Sequence, residues 1–249
     1  MQTRTSRIIL VLIVPVLTLA AWWIYSNASS SYAFPPLNEI ITRFQELWLF
    51  DRLFTDVIPS LIRFVIGYIG GSIIGLALGI WLGTSQNVRD ILDPAFQFVR
   101  SLPPPALLPL FLMIFGLGDT MKIFIIVFGA IWPVLLNTTE GIRGIDPTLR
   151  GTFSIYRISP LKKLTEVTLP AAANSIFAGL KTALGIAFVL MVVSEMVAAT
   201  SGIGYFVVES QHTYAIADMW SGILLLGIIG FLLNILFDQM QRKLLYWPA

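Results

Sequence analysis

The sequence predicts an all-α integral membrane protein with six transmembrane helices. Three observations lead there. Of 249 residues, 56% are hydrophobic and only 12% charged, with a mean hydropathy of +0.81. Soluble domains carry roughly 25% charged residues, so this chain has too few to cover a water-facing surface, and its main solvent is lipid. The apolar residues come in long runs separated by short polar segments. In lipid an open strand leaves backbone N–H and C=O groups unpaired, so each run is a helix.

The elements follow in order. Arg4 and Arg7 precede the first run, Ile8 to Tyr25, which ends in Trp22, Trp23 and Tyr25. That aromatic end suits a membrane interface and an uncleaved first span. Ser26-Asn27-Ala28 also offers the small residues of a signal-peptide cleavage site, the other reading of this segment. Residues 28–57 form an outer segment in which FPPLNEIITRFQELW reads as a short amphipathic helix. Further spans are expected at Ile58 to Leu82, Leu102 to Leu117, Ile123 to Leu136, Ala171 to Ala199 and Met219 to Phe237. The third and fourth are shorter than the ~20 residues a bilayer needs, so they recruit flanking residues, tilt, or hide behind neighbours. The whole chain, 1–249, is one transmembrane domain, and residues 137–170 form its one long polar loop.

Six spans place both termini on the same side, and basic residues choose that side. With the N-terminus inside, the inner segments hold Arg4, Arg7, Arg89, Arg100, Arg143, Arg150, Arg157, Lys162, Lys163, Lys181, Arg242 and Lys243. The outer side keeps Arg43, Arg52, Arg63 and Lys122, which puts the polar loop in the cytoplasm.

Several chemistries are excluded. There is no cysteine and one histidine, His212, so disulfides, thiolate metal sites and a metal cluster are out. No GxxxxGK[ST], HExxH or GxSxG stretch occurs. Any use of ATP therefore comes from a partner. Nothing points to nucleic acid, and a membrane-embedded enzyme lacks a nucleophile or acid–base constellation.

Four motifs stand out. Gly67, Gly71, Gly75, Gly79 and Gly83 recur every four residues along the second span. Such a groove lets another helix come close, within the subunit or between subunits. SLPPPALLP, Ser101 to Pro109, removes successive backbone donors and breaks the third span near the surface, either as a plain stop or as a rigid elbow beside a pathway. Glu195, within VVSEMVAAT, is a costly intramembrane carboxylate that faces protein or water. Ser194 and Thr200 are its nearby hydrogen-bond candidates; Met191, Ser194 and Glu195 together either tie helices or line a gate. Arg63 is expected to snorkel or to pair with an acid.

The fourth motif is the loop. Asp146-Pro147 fits an N-cap with proline at the first helical position. A helix to about Arg157 places Leu149, Phe153 and Tyr156 on one face. Ser159-Pro160 repeats the cap and starts a second helix through Lys162 and Lys163, and Pro170 marks the return to the membrane. This helix–turn–helix with an aromatic stripe and a basic flank is either a solvated loop or a docking element gripped as a helix in a groove.

The loop resembles the cytoplasmic EAA loop of binding-protein-dependent ABC importer permeases. Leu169-Pro170 supplies its end, and Val167 takes the place of its isoleucine. Its glycine position falls on Arg157, and its Glu-Ala-Ala on Gly151-Thr152-Phe153. FPPLNEI, LPPPALLPLFLMIFGLGDTMKIFIIVFGAIWPVLLNTTEGIRGIDPTL, LPAAANSIFAGLKTALGIAFVLMVVSEM and GIGYFV resemble the nitrate/sulfonate/taurine/bicarbonate branch of that family. The resemblance implies a type I importer permease in the bacterial inner membrane. Its partners would be a second permease subunit, two ATPase subunits that hold the ATP and Mg, and an extracytoplasmic substrate-binding protein. Asp146, Leu149, Arg150, Gly151, Thr152, Phe153, Tyr156, Arg157, Ser159, Lys162 and Lys163 would couple to the ATPase. A stand-alone channel or secondary transporter is the alternative. That class usually shows repeats or several paired intramembrane charges, and no inverted repeat is evident here.

Overall fold

The computed structural model describes residues 13–14, 17–18, 20–26, 33–146, 148 and 159–245. The elements are α1 (Leu37–Glu46), α2 (Ile58–Thr84), α3 (Gln86–Arg100), α4 (Leu108–Phe115), α5 (Asp119–Arg143), α6 (Leu169–Ala198), α7 (Ile203–His212) and α8 (Ile216–Leu244). Among the described residues there is no strand. Four helical stretches are long and apolar enough to cross a membrane: Leu53–Thr84, Asp119–Arg143, Pro160–Ala198 and Ile216–Leu244. Within the predicted first span, residues 8–12, 15–16 and 19 lie outside the described residues. Its Trp22 ring meets Trp220 of α8 edge-on, with centroids 4.5 Å apart.

Packing fixes the directions. A Cβ built on Gly67 would meet Ile126, and one on Gly83 would meet Ile142, the same offset of 59 residues at both ends. Helices α2 and α5 therefore run parallel. Gly129 faces Leu190, and Gly141 faces Ser175, so α6 runs against α5. Phe188 beside Gly230, and Phe177 beside Phe237, set α8 against α6. Side chains from these helices share one core, with Phe64, Met121, Ile125, Ile126, Ala130 and Met191 buried in it.

Parallel α2 and α5 need a return crossing, and α3 with α4 provides it. The two are bent by 80° around a 3-10 turn at Pro104–Leu107. The expected third span, Leu102 to Leu117, is thus only the short second half of a broken one. Its first half, α3, reads as a polar connection because Arg89, Asp90, Asp93, Gln97 and Arg100 interrupt its apolar positions and Pro94 lies inside it.

Two boundaries differ from expectation. The fourth span does not end at Leu136; α5 continues to Arg143. The polar residues Asn137, Thr138 and Thr139 are used inside the helix packing instead of being solvated. Asn137 Nδ2 donates to Pro133 O at 2.8 Å, and Thr139 Oγ1 donates to Gly79 O of α2 at 3.3 Å. Pro170 likewise does not punctuate the chain. A single helical path runs from Pro160 to Ala198, with a π turn at Lys163–Thr168 just before the proline. Proline lacks an N–H and crowds the carbonyl four residues earlier. The wider turn relieves that clash, and Thr168 Oγ1 donates to Lys163 O at 3.1 Å within it.

Candidate functional site

The glycine groove lies inside the protomer. Cβ atoms built on Gly67, Gly71, Gly75, Gly79 and Gly83 would all fall 2.5–2.9 Å from atoms of α5. In lipid, helix association rests on close van der Waals packing rather than on water exclusion. These five positions let α5 lie directly on the α2 backbone.

At one end of the bundle, polar side chains form a buried knot. Arg63 of α2 sends Nη1 to Glu195 Oε1 at 2.7 Å and Nε to Asp119 Oδ1 at 2.7 Å. The same guanidinium donates to Ser201 O at 3.0 Å. Ser60 Oγ donates to Glu195 Oε1 at 2.7 Å. Lys122 Nζ stands 3.5 Å from Asp119. Glu195 is 0% exposed and Arg63 only 4%.

The carboxylates serve a second purpose here. The first N–H groups of a helix have no partner within it and favour negative charge. At the start of α7, Gly202 N–H donates to Asp56 Oδ1 at 2.7 Å and Gly204 N–H to Glu195 Oε2 at 3.0 Å. Ile203 N–H donates to Ser60 Oγ at 3.0 Å. Gly202 has φ +125°, and a Cβ there would lie 2.5 Å from the Glu195 carboxyl carbon. The residues that hold Glu195 are therefore Ser60, Arg63 and Gly204, not the expected Ser194 and Thr200. Ser194 Oγ instead donates to Met191 O at 2.8 Å. Met191, Ser194 and Glu195 are each fully buried within the protomer. Of the three, Glu195 ties α6 to α2 and α7.

Just beyond the knot, α1 is fastened to α8. Arg43 grips both carboxylate oxygens of Asp218, and Trp48 Nε1 donates to Ser221 Oγ at 3.0 Å. His212 is exposed at the end of α7.

The opposite end of the bundle carries the polar loop. Of the expected coupling residues, Leu149, Arg150, Gly151, Thr152, Phe153, Tyr156 and Arg157 lie outside the described residues. Asp146 accepts a hydrogen bond from Thr148 N–H at 2.7 Å, as an N-cap does. That N–H, with the Thr148 hydroxyl, holds the exposed carboxyl below its ordinary pKa. Ser159 precedes the helix at Pro160 with extended backbone, and its carbonyl accepts from Lys163 N–H at 2.9 Å. Leu161 and Lys162 are exposed, and Lys163 is half-buried.

A cleft of about 410 Å³ opens at this same end, between α3 and the last turns of α5. Arg89, Arg100, Arg143, Asp93, Glu140 and Trp132 are among its lining residues. Among the described residues, no group of three or more His, Cys, Asp or Glu side chains is placed to hold a metal ion.

Residues 71–245 match the family model described as "Binding-protein-dependent transport system inner membrane component". The putative aliphatic sulfonates transport permease protein SsuC of Bacillus subtilis (strain 168) is 33% identical over 241 residues, 95% of this chain and 86% of the relative. The bicarbonate transport system permease protein CmpB of Synechococcus elongatus is 33% identical over 238 residues, 91% of this chain and 86% of the relative. The taurine transport system permease protein TauC of Escherichia coli (strain K12) is 29% identical, again over most of both chains. In structure, the chain is similar to one from the inward-facing MetNI methionine ABC transporter, with a TM-score of 0.65, 21% identity, and coverage of 76% of this chain and 94% of that one. That likeness bears on the fold alone. With its parallel α2 and α5, its broken return crossing and a family match over most of its length, the chain belongs to the inner membrane components of binding-protein-dependent transport systems and is a transport permease, not a catalyst.

Proposed function

We propose that this chain is the permease subunit of an ATP-driven importer. It moves a small anion or small organic solute, delivered by a binding protein, through alternating access. The named relatives handle sulfonates, bicarbonate and taurine, which is the support for the solute class. Two such subunits pair in the bacterial inner membrane with both termini in the cytoplasm. Two cytoplasmic ATPase subunits bind the ATP and Mg and grip residues Asp146 to Lys163.

The observation that supports coupling is the unbroken helical path from Pro160 to Ala198. One end of that path is in the loop, and the other is at Glu195 in the knot. A partner that shifts the loop therefore acts on the far end of the bundle through one element. Such a shift selects between two packings of the spans.

The test is assembly. Phe153→Ala with Tyr156→Ala is expected to abolish co-purification of the ATPase subunit in mild detergent while leaving membrane insertion intact. Assembly at the wild-type level in that variant rules out the docking role. A wild-type chain that transports solute with no ATPase present establishes a stand-alone carrier instead.

A further inference from the structure

Among the charged members of the knot, Asp119 alone is exposed. Its side chain is 59% accessible, against 5% for Arg63 and 4% for Lys122, the two cations it holds. One oxygen, Oδ1, receives both, Arg63 Nε at 2.7 Å and Lys122 Nζ at 3.5 Å. The other, Oδ2, makes no hydrogen bond among the described residues. The corner that carries Asp119 is loosely packed. A Cβ added at Gly116 or Gly118 would find no atom within 4 Å, and Leu117 between them is exposed.

The charge balance of the knot depends on this one side chain. Glu195 is already occupied, since Arg63, Ser60 and the Gly204 N–H all donate to it. Asp56 is taken by Arg52 and by the Gly202 N–H. Lys122, although buried, has a single hydrogen bond among the described residues, the long one to Asp119. A buried cation is costly unless a counter-charge stands close. With Asp119 in place, Arg63 and Lys122 meet two carboxylates. Without it they share Glu195 and repel each other.

We infer that Asp119 is a latch addressed from outside. A lysine or arginine on a protein that docks at this end takes the Asp119 carboxylate, and the knot, left with two cations for one buried acid, opens. Ammonium and guanidinium groups form charge-assisted hydrogen bonds to carboxylates, and Oδ2 is unused. A ligand shifts an equilibrium only by preferring one of its states. The incoming cation does so because both oxygens are available to it only after Arg63 and Lys122 have let go. That the docking protein is the one delivering solute rests on the import function proposed above; the latch itself does not.

The test uses the full chain in phosphatidylcholine nanodiscs, with no ATPase and no solute. The chain has no cysteine, so Ala198→Cys introduces a single thiol. Ala198 is buried at the end of α6, just beyond Glu195, and a water-soluble maleimide labels it only when the knot opens. Labelling is expected to be slow with Asp119 present and about tenfold faster or more in Asp119→Asn. Adding Lys122→Met to Asp119→Asn should return labelling to the slow rate, because it restores the charge balance; lost packing or a lost helix cap is not rescued this way. Trilysine should speed labelling when Asp119 is present and have no effect on Asp119→Asn, and triglutamate should do neither. The latch is overturned by an Asp119→Asn chain that labels as slowly as its parent, by a double variant that labels as fast as the single one, or by equal effects of the two peptides. Failure here leaves the import reading standing, and absence of an ATPase partner leaves the latch standing.

Discussion

Gly75→Ala should destabilise this protein, whereas Gly185→Ala should not, although the chemical change is identical. A Cβ at position 75 would lie 2.6 Å from Ile131 O and 2.9 Å from Val134 Cβ. Ordinary contact begins near 3.4 Å, so the first of these falls about 0.8 Å short. The oxygen belongs to the backbone of α5 and cannot rotate aside, so α2 and α5 must separate. A gap of roughly 0.5–1 Å forfeits a quarter to a half of each van der Waals contact it opens. Overpacking of this kind costs about 1–3 kcal/mol. Alanine returns about 0.5–1 kcal/mol through helix propensity. The net loss at position 75 is therefore on the order of 1–2 kcal/mol. At Gly185 nothing lies within 4 Å of the added carbon, so only the propensity gain remains. Thermal unfolding of the two detergent-solubilised variants reads the difference. At about 2–4 °C per kcal/mol for a chain of this size, Gly75→Ala should fall a few degrees below wild type and Gly185→Ala should match or exceed it. Shifts of the same sign and size would refute the close α2–α5 seam.

The knot should behave as a coupled unit. Arg63→Leu strands the buried Glu195 carboxylate and should cost about 3–5 kcal/mol, while Arg63→Leu with Glu195→Gln should cost less than the sum of the single changes in a thermal double-mutant cycle. Replacing Pro170 with alanine removes the reason for the π turn; closing that turn to α geometry rotates Leu161 and Lys162 by roughly 100° about the helix axis. Distances between spin labels at positions 162 and 238 should shift accordingly, and unchanged distances would show that the π turn is set by something other than the proline.

The apolar runs made the full-length crossings legible, and the spacing of Gly67 to Gly83 marked the seam. The partner of that seam was not legible, because a four-residue glycine period describes one surface and says nothing of what lies on it. The broken crossing was hidden for a different reason. Helix α3 has a polar face along the Arg-lined cleft, so its composition resembles a connection. NTTEGIR was misread for the same cause: Thr139 and Asn137 spend their polarity on neighbouring carbonyls, not on water. Glu195 advertised itself as a costly buried acid, but its partners are far apart in sequence, at Ser60, Arg63 and Gly204. Two local signals did exist: Gly202-Ile-Gly204 shortly after the acid marks a tight helix start, and Arg63 is the one cation well inside the second span's apolar run.

These features place stiffness and compliance at opposite ends. The knot joins α2, α5, α6 and α7 through charged hydrogen bonds, and the Arg63–Glu195 bond at its centre is fully buried, where a low dielectric strengthens it. At the loop end, α3 leaves a cleft, and Leu161 and Lys162 on the path into α6 are exposed. The two ends share α6, whose path of 39 residues from Pro160 is interrupted only by the π turn. A force applied to the loop therefore meets a helix that resists bending everywhere except at that turn. If the turn yields, the force is lost locally; if it holds, the knot must move as one body with α2 and α7. Under the proposed coupling to an ATPase the second behaviour is required, which makes the turn before Pro170 the place where a partner's work is either transmitted or absorbed.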